Sequence, residues 1–283
     1  MIGIDVAELV FINENCGGGF GSRSTPYEML VLPAFFSRKI NRPVALHLGR
    51  AEEFYLGKAR SGFQGHVRMG FQDDGRITVM DLFIVQDIGC QTGFPSASAA
   101  AGATSLVYQP ETMRFRAIPV MTNTTPKGAQ RGPGQNQIAA AIEPLIDKAA
   151  VMLEMDRVQI RMINAPVSDS LHGPRQQEMT SAYLREALEQ GAERFRWAER
   201  AERRGSRSGS KVIGLGVGQA YHSAGRDGYE GLLRIAPDGK IHLHSGVGNL
   251  GTYSYASTTR PAADVLQCDW NNCIIHYGRS TEH

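Results

Sequence analysis

Cys16-Gly-Gly-Gly-Phe-Gly-Ser-Arg23 follows an apolar run, Leu9-Val-Phe-Ile12, and precedes a helix-like stretch from Pro26. Three glycines, one aromatic and a fourth glycine leave the backbone bare, free to take positive φ and to approach a bound group closely. Successive N–H groups in such a turn can form a concave donor cluster for oxyanions. A lone glycine run is more simply a flexible loop, but two further stretches argue otherwise. Thr125-Pro-Lys-Gly-Ala-Gln-Arg-Gly-Pro-Gly-Gln-Asn-Gln137 enters a strong helix, and Gly246-Val-Gly-Asn-Leu-Gly-Thr252 follows a strand and opens another helix. Three glycine-rich turns at element junctions point to one large anionic ligand held mainly by backbone.

Around these turns the pattern is mixed. A strand is expected over 8–13, a helix over 27–41 with Pro33 inside it, a strand over 42–48 and a short helix over 51–55. Stretches 62–71 and 77–87 around Asp73-Asp-Gly-Arg76 read as a hairpin, because Asp-Gly favours tight turns. Residues 89–106 are small, polar and aperiodic, and read as a loop; 112–121 return to strand. Ile138, Ile142, Leu145, Ala149 and Met152 recur at helical steps and predict a helix over 136–154 with that face buried. Shorter helices follow Asp156-Arg157 and span 181–198; 199–210 reads as a charged Gly/Ser linker. Strands are expected at 211–219, 229–236 and 240–245, then a helix at 254–267. Without regular βαβ alternation the class is α+β. The halves echo each other, each with an Asp-Gly hairpin and a glycine turn opening a helix.

A net charge of +2, 42% hydrophobic residues and no basic aromatic-interleaved stripe give no sign of nucleic-acid binding. No apolar run reaches membrane-spanning length, and the opening residues show no secretory signal, so a cytoplasmic location is expected. Cys16, Cys90, Cys268 and Cys273 lack metal-ligand spacing and read as structural thiols. Gly214-Leu-Gly-Val-Gly218 lacks a third glycine at the spacing of a dinucleotide loop, and His242 with His244 lacks an acidic or cysteine partner for a metal. Arg131, a cation between turn glycines, needs an anion; a structural salt bridge is the plainer reading.

The ordered set of pieces resembles the molybdopterin-binding large subunit of the xanthine dehydrogenase/aldehyde oxidase family. It comprises the first glycine turn, Arg42-Pro-Val, Arg50-Ala-Glu-Glu-Phe54, Asp74-Gly-Arg-Ile77, Asp87-Ile-Gly89, Ala129-Gln-Arg-Gly-Pro-Gly-Gln-Asn-Gln137, Glu143-Pro-Leu-Ile-Asp147 and Arg161-Met-Ile-Asn164. The resemblance spans essentially the whole chain. It implies an oxidoreductase that hydroxylates an aldehyde or an electron-poor aromatic carbon with water-derived oxygen. The metal would ride on molybdopterin, or its cytosine dinucleotide form, not on protein ligands. Electrons would leave through 2Fe–2S clusters to FAD, on iron–sulfur and FAD partner subunits of a hetero-oligomer, exported in some members with a partner.

By resemblance, Gly18, Gly19, Phe20 and Gly21, then Arg131, then Gly251 and Thr252 would contact the cofactor. Thr252 stands where the family usually has glutamine. Ser24, Gln130 and Pro133 stand at substrate positions and lack the glutamate and aromatic residues of purine-oxidising members. The chain is expected to be an internal fragment: a first cofactor lobe at 1–198, a linker at 199–210 and the start of a second lobe at 211–283. The segment with the glutamate base is expected outside it, so no catalytic residue is assigned here. The rivals are a non-catalytic cofactor-fold binding or assembly module and a nucleotide-binding protein.

Overall fold

The computed structural model describes residues 3–22, 28–91, 93–173, 175–179, 181–221, 231–246 and 248–281. In chain order the first elements are α1 (Glu28–Ile40), α2 (Arg50–Leu56), β1 (Phe63–Phe71), β2 (Ile77–Gly89), α3 (Ser96–Val107) and β3 (Thr112–Met121). Then come α4 (Gln135–Met152), α5 (Arg157–Ile163), β4 (Leu171–His172), β5 (Gln177–Glu178), α6 (Leu184–Phe195), α7 (Trp197–Glu202), β6 (Arg207–Ser208) and β7 (Lys211–Val212). The last are β8 (Gly231–Ile235), β9 (Ile241–Ser245), α8 (Ser254–Val265) and β10 (Cys273–Tyr277). Helices and small sheets mix as the α+β reading expects. Packing divides the chain into two units, Arg50–Ser223 and Met1–Gly49 with Ala224–His283.

In unit Arg50–Ser223, β1 and β2 form the expected antiparallel hairpin, and β3 joins β2 in parallel. Gly75 takes φ 87° in the hairpin turn. A parallel neighbour needs a crossover, and α3 supplies it. Most of the loop expected over 89–106 is instead this helix, from Ser96. Ser96, Ala97, Ala100, Ala103, Thr104 and Val107 form a buried stripe, which small side chains hid from a search for large apolar residues. Alanine's high helix propensity favours the helix. Ile77, Met80, Leu82 and Ile84 of β2 pack with Ala100, Ala103 and Tyr108 around α3, and with Ile138, Ile142 and Ile146 of α4. Each large aliphatic side chain so buried contributes about 1.5–3 kcal/mol.

The inward line of α4 differs from the expected one. Ile146 and Ala150 face the core, whereas Leu145 is half-buried and Met152 is exposed. Asp156 caps α5, accepting from the N–H groups of Val158 and Gln159. Buried Asn164 ties α5 to the hairpin: its Oδ1 accepts the Ile77 N–H at 2.9 Å and its Nδ2 donates to Gly75 O at 2.8 Å. The helix expected over 181–198 breaks at Arg196, which takes φ 58°, giving α6 and α7. Residues 207–212 hold the short β6–β7 pair, and the strand expected over 211–219 is confined to β7.

In the other unit, β8 and β9 pair antiparallel across Pro237-Asp-Gly239, and β10 pairs parallel with β9 after the crossover α8. Ile241 and Leu243 of β9 are buried, as is Ala263 of α8. The intervening His242 and His244 share a face with His276, whose ring stacks on theirs at 5.2 and 4.3 Å. The strand expected over 8–13 reduces to a bridge between Ile12 and Arg279. The strand expected over 42–48 is absent; Pro43 has no N–H to give a ladder.

Each unit thus contains hairpin, helix and parallel third strand: β1-β2-α3-β3 and β8-β9-α8-β10. In this correspondence the turn at 246–252 matches the segment between β2 and α3, not the turn at 125–137.

Candidate functional site

The first and third glycine turns lie in one unit. Gly18 and Gly21 take φ 114° and 94°, and Phe20 between them takes φ 50° while 64% exposed. A bulky L-residue in this region is strained, so the surrounding turn must hold it there. The Phe20 ring lies over Gly18, where a Cβ would sit 2.9 Å from it. Ser22 closes the turn, donating its N–H to Gly19 O at 3.1 Å.

In the third turn Gly251 takes φ 82° and donates its N–H to Asn249 Oδ1 at 3.0 Å. Thr252 Oγ1 is 2.6 Å from Ser254 Oγ. The Cys16 N–H donates to Asn249 O at 3.0 Å, so the two turns are hydrogen-bonded to each other. A Cβ added at Gly17 or Gly251 would meet nothing within 4 Å. Open space therefore faces both backbones. These bare, uncharged turns fit an anionic group bound by main-chain donors.

The second turn belongs to the other unit. Gly132 and Gly134 take φ 73° and 79°; a Cβ on Gly134 would lie 1.9 Å from Ser96 O, so only glycine lets α4 approach α3 here. Segment 58–60 runs alongside. Ala59 bridges Lys127 in parallel, with Gly128 N–H to Ala59 O at 2.9 Å. Gln130 Nε2 donates to Lys58 O at 2.7 Å, which anchors that side chain to the scaffold. Arg131 is exposed and Pro133 half-buried. Ser24 lies outside the described residues.

Asp87 fastens this region from β2. Its Oδ1 accepts from Gly89 N–H at 2.8 Å and Thr122 Oγ1 at 2.6 Å, and Lys127 Nζ lies 3.3 Å from Oδ2. Burial pushes the Asp87 pKa up, but the Thr122, Gly89 and Lys127 contacts outweigh it and leave the pKa below the usual carboxylate range.

Behind the turn lies a buried ionic network that sequence reading missed. Arg161 is fully buried and donates to Glu143 Oε2 from Nε and Nη2 at 3.0 and 2.8 Å. Its Nη1 is 2.8 Å from Asp147 Oδ1, an ion-pair contact without hydrogen-bond alignment. The Tyr108 hydroxyl donates to Glu143 Oε1 at 2.5 Å; burial, then the Glu143 charge, pushes its pKa far up. Glu143 and Asp147 sit off the expected apolar stripe, where charges usually face water. The one available signal was Arg161 within the apolar run of α5. Among the described residues no group of three or more His, Cys, Asp or Glu could hold a metal ion. Cys268 neighbours Cys273, whose pKa is raised chiefly by burial.

A family model described as the molybdopterin cofactor-binding domain matches residues 1–165. The chain belongs to this family. Among curated relatives, it is 29% identical over 243 residues to the xanthine dehydrogenase molybdenum-binding subunit of Escherichia coli O157:H7, covering 83% of this chain and 32% of that protein. It is 25% identical over 282 residues to the aldehyde oxidoreductase molybdenum-binding subunit PaoC of the same organism, covering 98% and 37%. The chain thus spans about a third of the length of these relatives. In fold it is similar to the aldehyde oxidoreductase from Desulfovibrio desulfuricans, with TM-score 0.85 at 22% identity, covering 99% of this chain and 31% of that one. Among the described residues no helix is long and apolar enough to cross a membrane.

Proposed function

We propose that this molybdopterin-binding domain serves an oxidoreductase hydroxylating an aldehyde or an electron-poor aromatic carbon. The main chain at Gly18, Gly19, Phe20, Gly21, Arg131, Gly251 and Thr252 contacts the cofactor, and Ser24, Gln130 and Pro133 face the substrate. The observation that carries this reading is the first and third glycine turns, hydrogen-bonded through Cys16 and Asn249, with open space before Gly17 and Gly251. Bound there, the cofactor would supply two-electron redox chemistry at molybdenum. The protein's part is to hold it by uncharged donors, which add no fixed counter-charge beside the reacting metal.

The proposal includes two cofactor lobes in chain order, at 1–198 and 211–283 across 199–210; the recurrent hairpin, helix and strand support two lobes, while Met1–Gly49 pack with Ala224–His283. It includes molybdopterin or its cytosine dinucleotide form as the cofactor, iron–sulfur and FAD partner subunits, and a cytoplasmic location or export with a partner. The names of the relatives support the chemistry. A non-catalytic module that keeps the fold is the second reading, favoured by Thr252, whose hydroxyl is engaged by Ser254 at the start of α8.

The test is to purify the polypeptide carrying these residues from molybdenum-sufficient cells and assay metal and aldehyde oxidation together. Near-stoichiometric molybdenum with turnover supports the enzyme reading. A folded polypeptide free of molybdenum overturns the enzyme reading and supports the non-catalytic module, which keeps the fold without the cofactor.

A further inference from the structure

Arg60 lies in the segment before β1 and reaches across the sequence to the second glycine turn. Its Nη2 donates to Arg131 O at 2.9 Å and its Nη1 to Gly132 O at 3.2 Å. Arg131 O accepts a further bond from Asn136 Nδ2 at 3.1 Å. The carbonyls of two successive turn residues are therefore both fixed by one guanidinium, whose planar fork suits paired acceptors.

A trans peptide sets its C=O and N–H in opposite directions. With the Arg131 carbonyl drawn toward Arg60, the Gly132 N–H of the same peptide points away from Arg60. A cation at the oxygen end also polarises the peptide and strengthens its N–H as a donor. Gly132 takes φ 73°, and the three bonds from Arg60 and Asn136 to the Arg131 and Gly132 carbonyls would have to break for this peptide to turn over.

We propose that Arg60 is a positioning residue that aims and strengthens the Gly132 N–H as a donor to an anionic oxygen of the bound cofactor. This rests on the cofactor reading above, and deepens it by naming the side chain that sets one turn. Arg60 touches neither cofactor nor substrate; it acts through the turn.

The experiment compares wild type with Arg60→Ala, Arg60→Lys and Asn136→Ala in the polypeptide carrying these residues, purified from molybdenum-sufficient cells. The readouts are molybdenum per chain and pterin released on denaturation, with and without millimolar guanidinium. Removing a charged hydrogen-bond donor weakens retention by about tenfold or more in Arg60→Ala. Guanidinium restores much of it, Arg60→Lys keeps an intermediate level, and Asn136→Ala shows a smaller loss. Loss without rescue by either guanidinium or lysine overturns the positioning role, because a general folding defect does not respond to a free cation. Wild-type retention in Arg60→Ala overturns it as well. A wild type without pterin sinks the cofactor reading itself, a result distinguishable from both.

Discussion

The Cys16 N–H and the Asn249 carbonyl oxygen are 3.0 Å apart, joining two glycine turns separated by most of the chain. The contact is held from behind by residues 11–14 against 278–280. Asn13 N–H donates to Gly278 O at 2.6 Å, Ser280 N–H to Phe11 O at 3.0 Å, and Glu14 pairs with Arg279 at 2.6 Å.

Gly278 is the vulnerable point of that brace. It takes φ 78°, and a Cβ there would lie 2.8 Å from Glu14 Cα. Gly278→Ala is expected to cost about 1–3 kcal/mol from backbone strain and crowding. Amide hydrogen exchange at Cys16 should quicken; unchanged protection would show that the brace does not hold the turn.

Gly134→Ala tests the approach of α4 to α3. Positive φ and the encounter with Ser96 O together should cost about 2–5 kcal/mol, read from urea denaturation. A loss below 1 kcal/mol would contradict the packing described here.

Arg161→Met should be among the most damaging core substitutions, at about 3–5 kcal/mol, since Glu143 would be left in the interior without its cation. Arg161→Met combined with Glu143→Leu should recover part of the loss. Equal losses in the single and double variants would argue against coupling between them.

Asp87 gives a pH signature. Its folded pKa lies below the unfolded value, so its stabilisation is present above the ordinary carboxylate pKa and lost as pH falls through the lower folded value. Thermal melts of wild type should fall over that acidic window, and Asp87→Asn should flatten the slope. An identical slope in the variant would exclude Asp87 as a contributor.

The legible parts of the fold were those with a strong local signal. Asp-Gly between the two stretches placed β1 and β2, and the four-three rhythm of Ile138, Ile142, Leu145, Ala149 and Met152 placed α4. α3 escaped because alanine and serine carry no periodic apolar signal, although they let helices pack closely. The 8–13 and 42–48 segments have strand-like composition, but pairing depends on partners that local sequence does not name. At the site, glycines marked the turns because positive φ has few other solutions. Arg60 was invisible because its role rests on distant backbone groups, Arg131 O lying 71 positions away, and the role of Asp87 was hidden because the Thr122 and Lys127 side chains it meets are far along the chain.

Gly251 offers the most direct test. A Cβ there meets nothing within 4 Å, so Gly251→Ala should cost only about 1–2 kcal/mol through its φ of 82°. If that space receives the cofactor, molybdenum and pterin per chain should nevertheless fall sharply relative to wild type in the polypeptide carrying these residues. A folded variant that retains both at the wild-type level would contradict the claim that the glycine turns cradle the pterin.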